Sequence, residues 1–429
     1  MERNLKTLVI GSGGREDALA WKISQSPLLD RLYITPGNPG TRRWGESVAV
    51  KSDDIDGIVD FIRSNKINLT VIGPEATLAA GLADQIRLLE DPNIRVYGPN
   101  RREARIETSK AWAIWLMQSA GIPYPITQIF TEPELAFKFL KENEGPFVYK
   151  ANGLTSGKGV IVTETKEEGE EAIHRILVNK EFDSGDILLI QEKLSGQEVS
   201  VMGISDGETI KIIPPAVDHK RLLDQNRGPN TGGMGAYSVN DLYSQRFLEW
   251  TQNQVLQKAV DYIRKNYPPY IGTLYAGLMI TPKGVKVLEF NARFGDPETQ
   301  TQLPRLEGDF LQMLWSAAEG KLDKSQFKFS PKAAVTTILT TPGYPEKPRT
   351  GQIIYGLDTV TDPDVLVFHA GTTQNPDGST VTSGGRVLAI SAIGDTLIAA
   401  RKKAYSQIGP NRIHFDKMHY RTDIAPQTT

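Results

Sequence analysis

Cysteine is missing from all 429 residues. Disulfides, thiolate zinc centres, iron–sulfur ligation and cysteine nucleophiles are therefore excluded together. Histidine is nearly as scarce, with five widely spaced residues, which argues against a histidine-rich metal centre. No apolar run approaches the roughly 20 residues that a membrane helix needs, and the amino terminus does not read as a secretion signal. Nor is there a surplus of one charge. Lysine and arginine total 49 against 51 aspartates and glutamates, a formal net charge of -2. That balance supplies no basic field for nucleic acid and no polybasic membrane patch. The expectation is a cytoplasmic protein that acts on small molecules, with no nucleic acid and no membrane as partner. Scattered aromatics define no interface, so a monomer or weak dimer is expected.

Glycine is plentiful, 39 residues, and it comes in clusters, as where backbone approaches a ligand or turns tightly. A chain this long is expected to form two to four domains. One stretch, 285–300, concentrates chemistry. It opens as a strand, where alternation places Val285, Val287 and Glu289 on one face and Leu288 and Phe290 on the other. Glu289 and Asn291, two residues apart, then point to one side and offer oxygen to a hard cation such as magnesium or manganese. Arg293 adds a rigid five-donor fork beside Asp296 and Glu298. The alternative is an ordinary charged turn.

The amino-terminal hundred residues alternate short apolar runs with glycine turns and helical stretches. The first run, 5–10, meets Gly11-Ser12-Gly13-Gly14-Arg15-Glu16 and then a helix, an arrangement that can hold an anion on free N–H groups. The spacing is not that of the dinucleotide fingerprint, and no Walker lysine is present. A dinucleotide-dependent oxidoreductase is thereby disfavoured. The alternation predicts an open α/β domain with a parallel sheet. Turns at 11–15, at Asn38, at 73–75 and at 98–99 would rim one crevice, unless each is only a connecting turn.

Further on, 101–117 reads as one helical stretch containing Ser109-Lys110, and 121–125 as a hinge. Gly153-Leu154-Thr155-Ser156-Gly157-Lys158-Gly159 lies between two strands. It suits a flap whose N–H groups meet phosphate oxygens while Lys150 and Lys158 neutralise charge. The strand exit at Glu192-Lys193-Leu194 can pair with an adenine edge, and Glu198 can accept from ribose hydroxyls. Asp218-His219-Lys220-Arg221 gathers a carboxylate and three potential cations, or is a solvated charge run. The stretch 228–237 is too glycine-rich for the interior of a strand or helix and carries Asn230 and Thr231 as hydrogen-bonding groups. Lys283-Gly284 turns a hairpin, so the strand with Glu289 belongs to an antiparallel sheet. Within a helix at 309–319, Leu311, Leu314 and Trp315 are core. The last hundred residues read as a small α+β domain that closes one side of the site, ending loosely after His419.

Taken in order, these motifs resemble the glycinamide ribonucleotide synthetase family over essentially the whole chain, most specifically at 228–237 and 293–300. The resemblance implies an ATP-grasp fold. A preATP-grasp domain would span 1–104, an ATP-grasp domain 105–330 with its lid at about 124–194, and a small carboxy-terminal domain 331–425. It implies that ATP, glycine and 5-phosphoribosylamine give glycinamide ribonucleotide, ADP and phosphate through glycyl phosphate. On this resemblance Glu289 and Asn291 hold magnesium or manganese. Lys110, Lys150, Gly153, Ser156, Gly157, Lys158 and Gly159 contact phosphate, Glu192, Lys193 and Leu194 the adenine, and Glu198 the ribose. Gly13, Gly14 and Glu75 meet phosphoribosylamine. Asp218, Asn230, Thr231, Arg293 and Asp296 surround glycine and the acyl phosphate. Four places depart from the family pattern: Asp17 stands where histidine is usual, Thr77 where proline is, Asn152 where aspartate is, and Gln225-Asn226-Arg227 replaces a different polar run. An ATP-grasp ligase with another acceptor and a non-catalytic nucleotide-binding protein are the remaining readings. The intact set Glu289, Asn291 and Arg293 disfavours the second.

Overall fold

Leu8, Val9 and Ile10 are each fully buried, as a strand covered on both faces must be. In the computed structural model, which describes residues 4–155, 158–182 and 186–425, they lie in Leu5–Gly11. That strand is the middle of a five-stranded sheet ordered Glu46–Ser47, Leu29–Pro36, Leu5–Gly11, Leu69–Ile72, Arg95–Tyr97. Every pairing in it is parallel, as expected from the alternating pattern. Connections leave the central strand in both directions, so a crevice opens beyond its carboxyl end. Glu16 fills part of that crevice. A Cβ on Gly73 would collide with its Oε1, and one on Gly11, where φ is +125°, would come within 2.5 Å of its Cγ.

Two four-stranded antiparallel sheets come next. One is ordered Thr127–Phe130, Leu188–Glu192, Phe147–Ala151, Val160–Val162, and encloses its own small core with Leu140, Tyr149, Ile173 and Ile190. The glycine-rich loop lies between Phe147–Ala151 and Val160–Val162, two strands as expected; Ser156 and Gly157 lie outside the described residues. The other sheet is ordered Ile210–Ile212, Gln197–Asp206, Ile271–Thr281, Gly284–Asn291. It shares one continuous core with the parallel sheet, in which Leu8, Ile72 and Val96 join Val201, Leu274, Val287 and Phe290.

Several sequence expectations need correction. The stretch 101–117 is two helices, Arg105–Thr108 and Lys110–Ala120. Ser109 between them is extended, and its hydroxyl accepts from Trp112 N at 3.2 Å. Serine is worth more as a helix cap than in a helix interior. The glycine-rich stretch 228–237 contributes to two strands, Arg227–Asn230 and Gly235–Ser238. Gly235 is possible there because its backbone runs hard against Thr336 O, where a Cβ would lie 2.5 Å away. Through Val217–Asp218 and Gly235–Ser238 the middle of the chain enters a five-stranded sheet otherwise made of late strands, ordered Val217–Asp218, Gly235–Ser238, Ala333–Thr340, Arg386–Gly394, Val365–His369. The segment after His419 is not loose through Ala425: Arg421, Ile424 and Ala425 are all buried. Leu311, Leu314 and Trp315 are core, as expected.

Asp17 belongs to the seam between the first and last sheets. It is fully buried and points away from the glycine turn. Its carboxylate accepts from Trp44 Nε1 at 2.8 Å, from Arg43 Nη2 at 3.1 Å and from His369 N at 2.7 Å. Burial nevertheless pushes its pKa up to about 6, against the pull of Arg43 and the N–H donors. Asn38, expected to rim the crevice, joins the same seam and donates to Ser12 O and His369 O, both at 2.8 Å. Gly40 closes it, since a Cβ there would collide with Asp17 Oδ2 and lie 2.6 Å from His369 Cβ. Gly40→Ala is expected to destabilise the protein by about 1–3 kcal/mol, the usual cost of overpacking. A shift of the urea midpoint to lower concentration checks it, and an unchanged midpoint would show that the seam has slack.

Candidate active site

The strand Gly284–Asn291 does not keep strict alternation. Its register against Ile271–Thr281 pairs Leu278 with Val287 and Gly277 with Glu289, which leaves Leu288 as an extra residue. A bulge of this kind bends the strand and re-aims the side chains beyond it. Val287 and Phe290 therefore lie in the same core, not on opposite faces as alternation predicts. The unpaired carbonyl of Leu288 accepts from Lys150 Nζ at 3.0 Å.

Glu289 emerges from this bulge half-buried. Burial alone would favour its neutral form. Lys220, Lys150, Lys110 and Arg293 outweigh burial and hold the carboxyl below its usual range. The lysines come from three different places in the chain. Lys150 is 7% exposed, and burial lowers its pKa to about 8 despite Glu289. Lys110 opens the helix after Ser109 and donates to Gly153 O at 2.7 Å; burial lowers its pKa too. Lys220 has its pKa raised well above the ordinary value: burial opposes the charge, but Tyr275, Glu289, Glu198 and Asp218 favour it. Its Nζ is 3.6 Å from Glu198 Oε2. Lys110 and Lys150 donate to backbone carbonyls, and Glu289 is the carboxylate that most favours the charge of each.

Arg293 does not fork onto Asp296 and Glu298 as adjacency suggests. Its Nη2 is 3.1 Å from Glu107 Oε1 and its Nε 3.3 Å from Glu75 Oε2. Glu107 also accepts from Ala292 N at 2.7 Å. Arg293 thus ties the strand end to Glu75 at the mouth of the parallel sheet. Asp296 is taken by Arg386, with Nη2 3.2 Å from Oδ2 and Nη1 2.8 Å from the Asp296 carbonyl. Gln300 Nε2 donates to its other oxygen at 2.7 Å. Glu298 accepts from Tyr275 Oη at 2.9 Å. Asp218 is pushed well above the usual carboxylate range by burial and by Glu298, against Lys220 and Arg386, and its Oδ1 is buried without a hydrogen-bond partner.

The glycine turn is already occupied. Glu16 Oε2 accepts from Gly13 N at 2.8 Å, and Oε1 from Arg15 Nε at 2.6 Å. A Cβ on Gly14 would sit 2.7 Å from Gln300 Nε2. Gly13 and Gly14 therefore let the turn pack on the 296–300 segment, and Gly13's N–H is not a free donor. Glu192 Oε1 accepts from Ile126 N at 2.8 Å and from Lys286 Nζ at 2.7 Å, while Lys193 pairs with Glu164. Leu194 is half-buried beside them and Glu198 is exposed. Gly153 has φ +81°, Gly159 O accepts from Ala151 N at 2.8 Å, and Lys158 is exposed. Asn230 is exposed, and Thr231 Oγ1 donates to Lys220 O at 2.8 Å.

Two residues were missed as site candidates. Lys220 was visible only as part of a charge run. Arg386 lies about 90 residues beyond Asp296 and also donates to Gly232 O, a separation that no local pattern reveals. Two departures from the family pattern have local accounts. Asn152 Oδ1 accepts from Ala111 N at 3.1 Å and Ser109 Oγ at 3.3 Å, and Thr77 Oγ1 donates to Ser52 O at 3.0 Å.

Three family models cover this architecture: the phosphoribosylglycinamide synthetase N domain over residues 5–107, its ATP-grasp (A) domain over 108–299 and its C domain over 334–427. The chain belongs to the phosphoribosylglycinamide synthetase family. The phosphoribosylamine–glycine ligase of Caulobacter vibrioides is similar at 42% identity over 422 residues, 98% of each chain. The crystal structure of the Thermotoga maritima phosphoribosylamine–glycine ligase aligns at TM-score 0.83 and 31% identity over 98% of this chain and all of that one. The biotin carboxylase domain of Hydrogenobacter thermophilus 2-oxoglutarate carboxylase aligns at TM-score 0.73 and 17% identity, over 97% of this chain and 92% of that one, which shows a shared fold. In this synthetase-family chain no described helix is long and apolar enough to cross a membrane.

The electrostatics are open to direct measurement. A lysine titrating near pH 8 is expected in the 13C NMR spectrum of reductively methylated protein, and absent in Lys150→Met. Glu289→Gln should move that titration to lower pH, because the carboxylate favours the ammonium form. A Lys150 signal titrating above pH 10 would contradict the burial argument.

Proposed function

We propose that this chain joins glycine to 5-phosphoribosylamine at the expense of ATP, giving glycinamide ribonucleotide, ADP and phosphate through glycyl phosphate. The observation that carries the reading is that Lys110 and Lys150 donate to the carbonyls of Gly153 and Leu288 beside the half-buried Glu289 and both lower its pKa. Burial lowers the pKa of both lysines, so an anion beside them favours their charged form. A triphosphate supplies that anion.

Glu289 and Asn291 fit a divalent cation. A carboxylate and an amide are hard oxygen donors, and magnesium is commonly held by one or two protein ligands plus phosphate oxygens. Among the described residues no group of three or more histidines, cysteines or carboxylates could hold a metal alone, so phosphate and water would complete the set. The ion would neutralise charge on the phosphates during transfer. Magnesium and manganese both suit these donors.

Within this frame Lys110, Lys150 and the flap with Gly153, Lys158 and Gly159 receive the phosphates. The exit Glu192-Lys193-Leu194 faces the adenine, and Glu198 the ribose. Glycine's carboxylate is a poor electrophile, and phosphoryl transfer makes it an acyl phosphate that the amine then attacks. The protein's part is positioning and electrostatic preorganisation. Arg293 and Arg386 each sit where developing negative charge needs a cation, held by Glu75, Glu107 and Asp296. Asp218, Asn230 and Thr231 line the side on which glycine would lie, and the edge at Glu75, beside the packed Gly13-Gly14 turn, is left for phosphoribosylamine.

The test is ADP release that requires glycine, phosphoribosylamine and a divalent cation together, with glycinamide ribonucleotide identified by mass. Glu289→Gln should lower kcat/KM roughly 100-fold or more and raise the metal concentration needed. ADP release with other acids or amines, and no glycinamide ribonucleotide, would assign a different acceptor. Parent-like turnover in Glu289→Gln would remove the basis of the proposal.

A further inference from the structure

Lys220 reaches the pocket from the foot of a hairpin that has no core of its own. The strands Arg221–Leu223 and Arg227–Asn230 pair only with each other, and the second is exposed throughout. An isolated two-stranded ribbon is marginal in water. Its turn adds strain: Gln225 has φ +60° and Asn226 φ +54°, both left-handed, where glycine is the usual occupant of at least one position. The hairpin needs support from outside.

Residues 419–424 supply it. Arg421 is 1% exposed. Its Nε and Nη2 pair with Asp423 Oδ1 and Oδ2 at 2.7 and 2.8 Å. Its Nη1 donates to Arg221 O at 3.1 Å and Asn226 Oδ1 at 3.0 Å. Asp423 Oδ2 accepts from Gln225 N at 2.7 Å, and Asp224 Oδ1 from Thr422 N at 2.9 Å. His419 Nε2 lies 3.0 Å from Leu222 O. The strap is itself anchored: His419 exchanges two backbone bonds with Thr340, and Tyr405 Oη donates to Arg421 O at 2.7 Å. At the foot of the ribbon, Thr231 N and Oγ1 both donate to Lys220 O at 2.8 Å.

We infer that Arg421 is a positioning residue: with Asp423 it holds the hairpin in the arrangement that presents Lys220 to Glu289, and turnover depends on that hold. The kinetic part rests on the ligase reading; the structural part does not. It also gives Gln225-Asn226-Arg227 a role, since the turn they form is the strap's docking point.

Three variants test it: Arg421→Ala, Arg421→Lys and Asp224→Asn. Tryptic cleavage after Arg227 and amide exchange over 222–230 report the hairpin. Turnover and the affinity for a non-hydrolysable ATP analogue report the site, with Lys110 and Lys150 untouched. Arg421→Ala is expected to speed cleavage roughly 10-fold or more and to lower kcat about 10-fold, with nucleotide affinity within about 2-fold of the parent. Arg421→Lys should recover part of both, and Asp224→Asn should show a smaller effect in the same direction. Unchanged cleavage and turnover in Arg421→Ala overturns the inference, as does nucleotide affinity lost in step with turnover. Should Arg421→Ala not fold, the other two decide, and turnover lost without faster cleavage overturns it. If the parent itself shows no glycine-dependent turnover, the ligase reading fails, and cleavage and exchange alone judge whether the strap orders the hairpin.

Discussion

One carboxylate facing an excess of lysine governs this molecule. Glu289 stays ionised although half-buried because Lys220, Lys150 and Lys110 surround it. Burial disfavours the ammonium forms of Lys150 and Lys110, while carboxylates favour that of Lys220. A bulge in the strand makes this arrangement possible: with Leu288 unpaired, one carbonyl is free for Lys150 and Glu289 is turned out of the core.

Around that centre the arginines are assigned in an order that primary structure conceals. Arg293 reaches back to Glu75 and Glu107, and Arg386 comes from the last sheet to take Asp296. Each guanidinium joins two parts of the chain far apart in sequence. The candidate site is thus a junction of three sheets, to which the late strands contribute Arg386. The same late segment runs on to clasp the hairpin below Lys220, so both ends of the pocket depend on residues beyond 380.

The seam at Asp17 shows a different use of charge. A carboxylate in place of the family's usual histidine does not meet the ligand crevice at all. It is taken up by Trp44, Arg43 and the His369 amide. Glu16, its neighbour, closes on the Gly13 N–H that the glycine turn seemed to hold free for a ligand. Adjacent acids on one helical turn point in different directions, so their tasks differ.

Local order was legible from residues alone. Apolar runs ending in glycine turns marked the parallel sheet and Lys283-Gly284 marked the antiparallel hairpin, because strand period and turn chemistry are properties of neighbouring residues. The motif order further marked the family. Features that stayed hidden depended on partners distant along the chain: the bulge at Leu288, the true mates of Arg293, the entry of Arg386, and the fastening of a glycine-rich stretch into two strands. Side-chain pairing and burial are set by which surfaces meet after folding. Only the assembled structure could decide which of the many charges would neutralise one another.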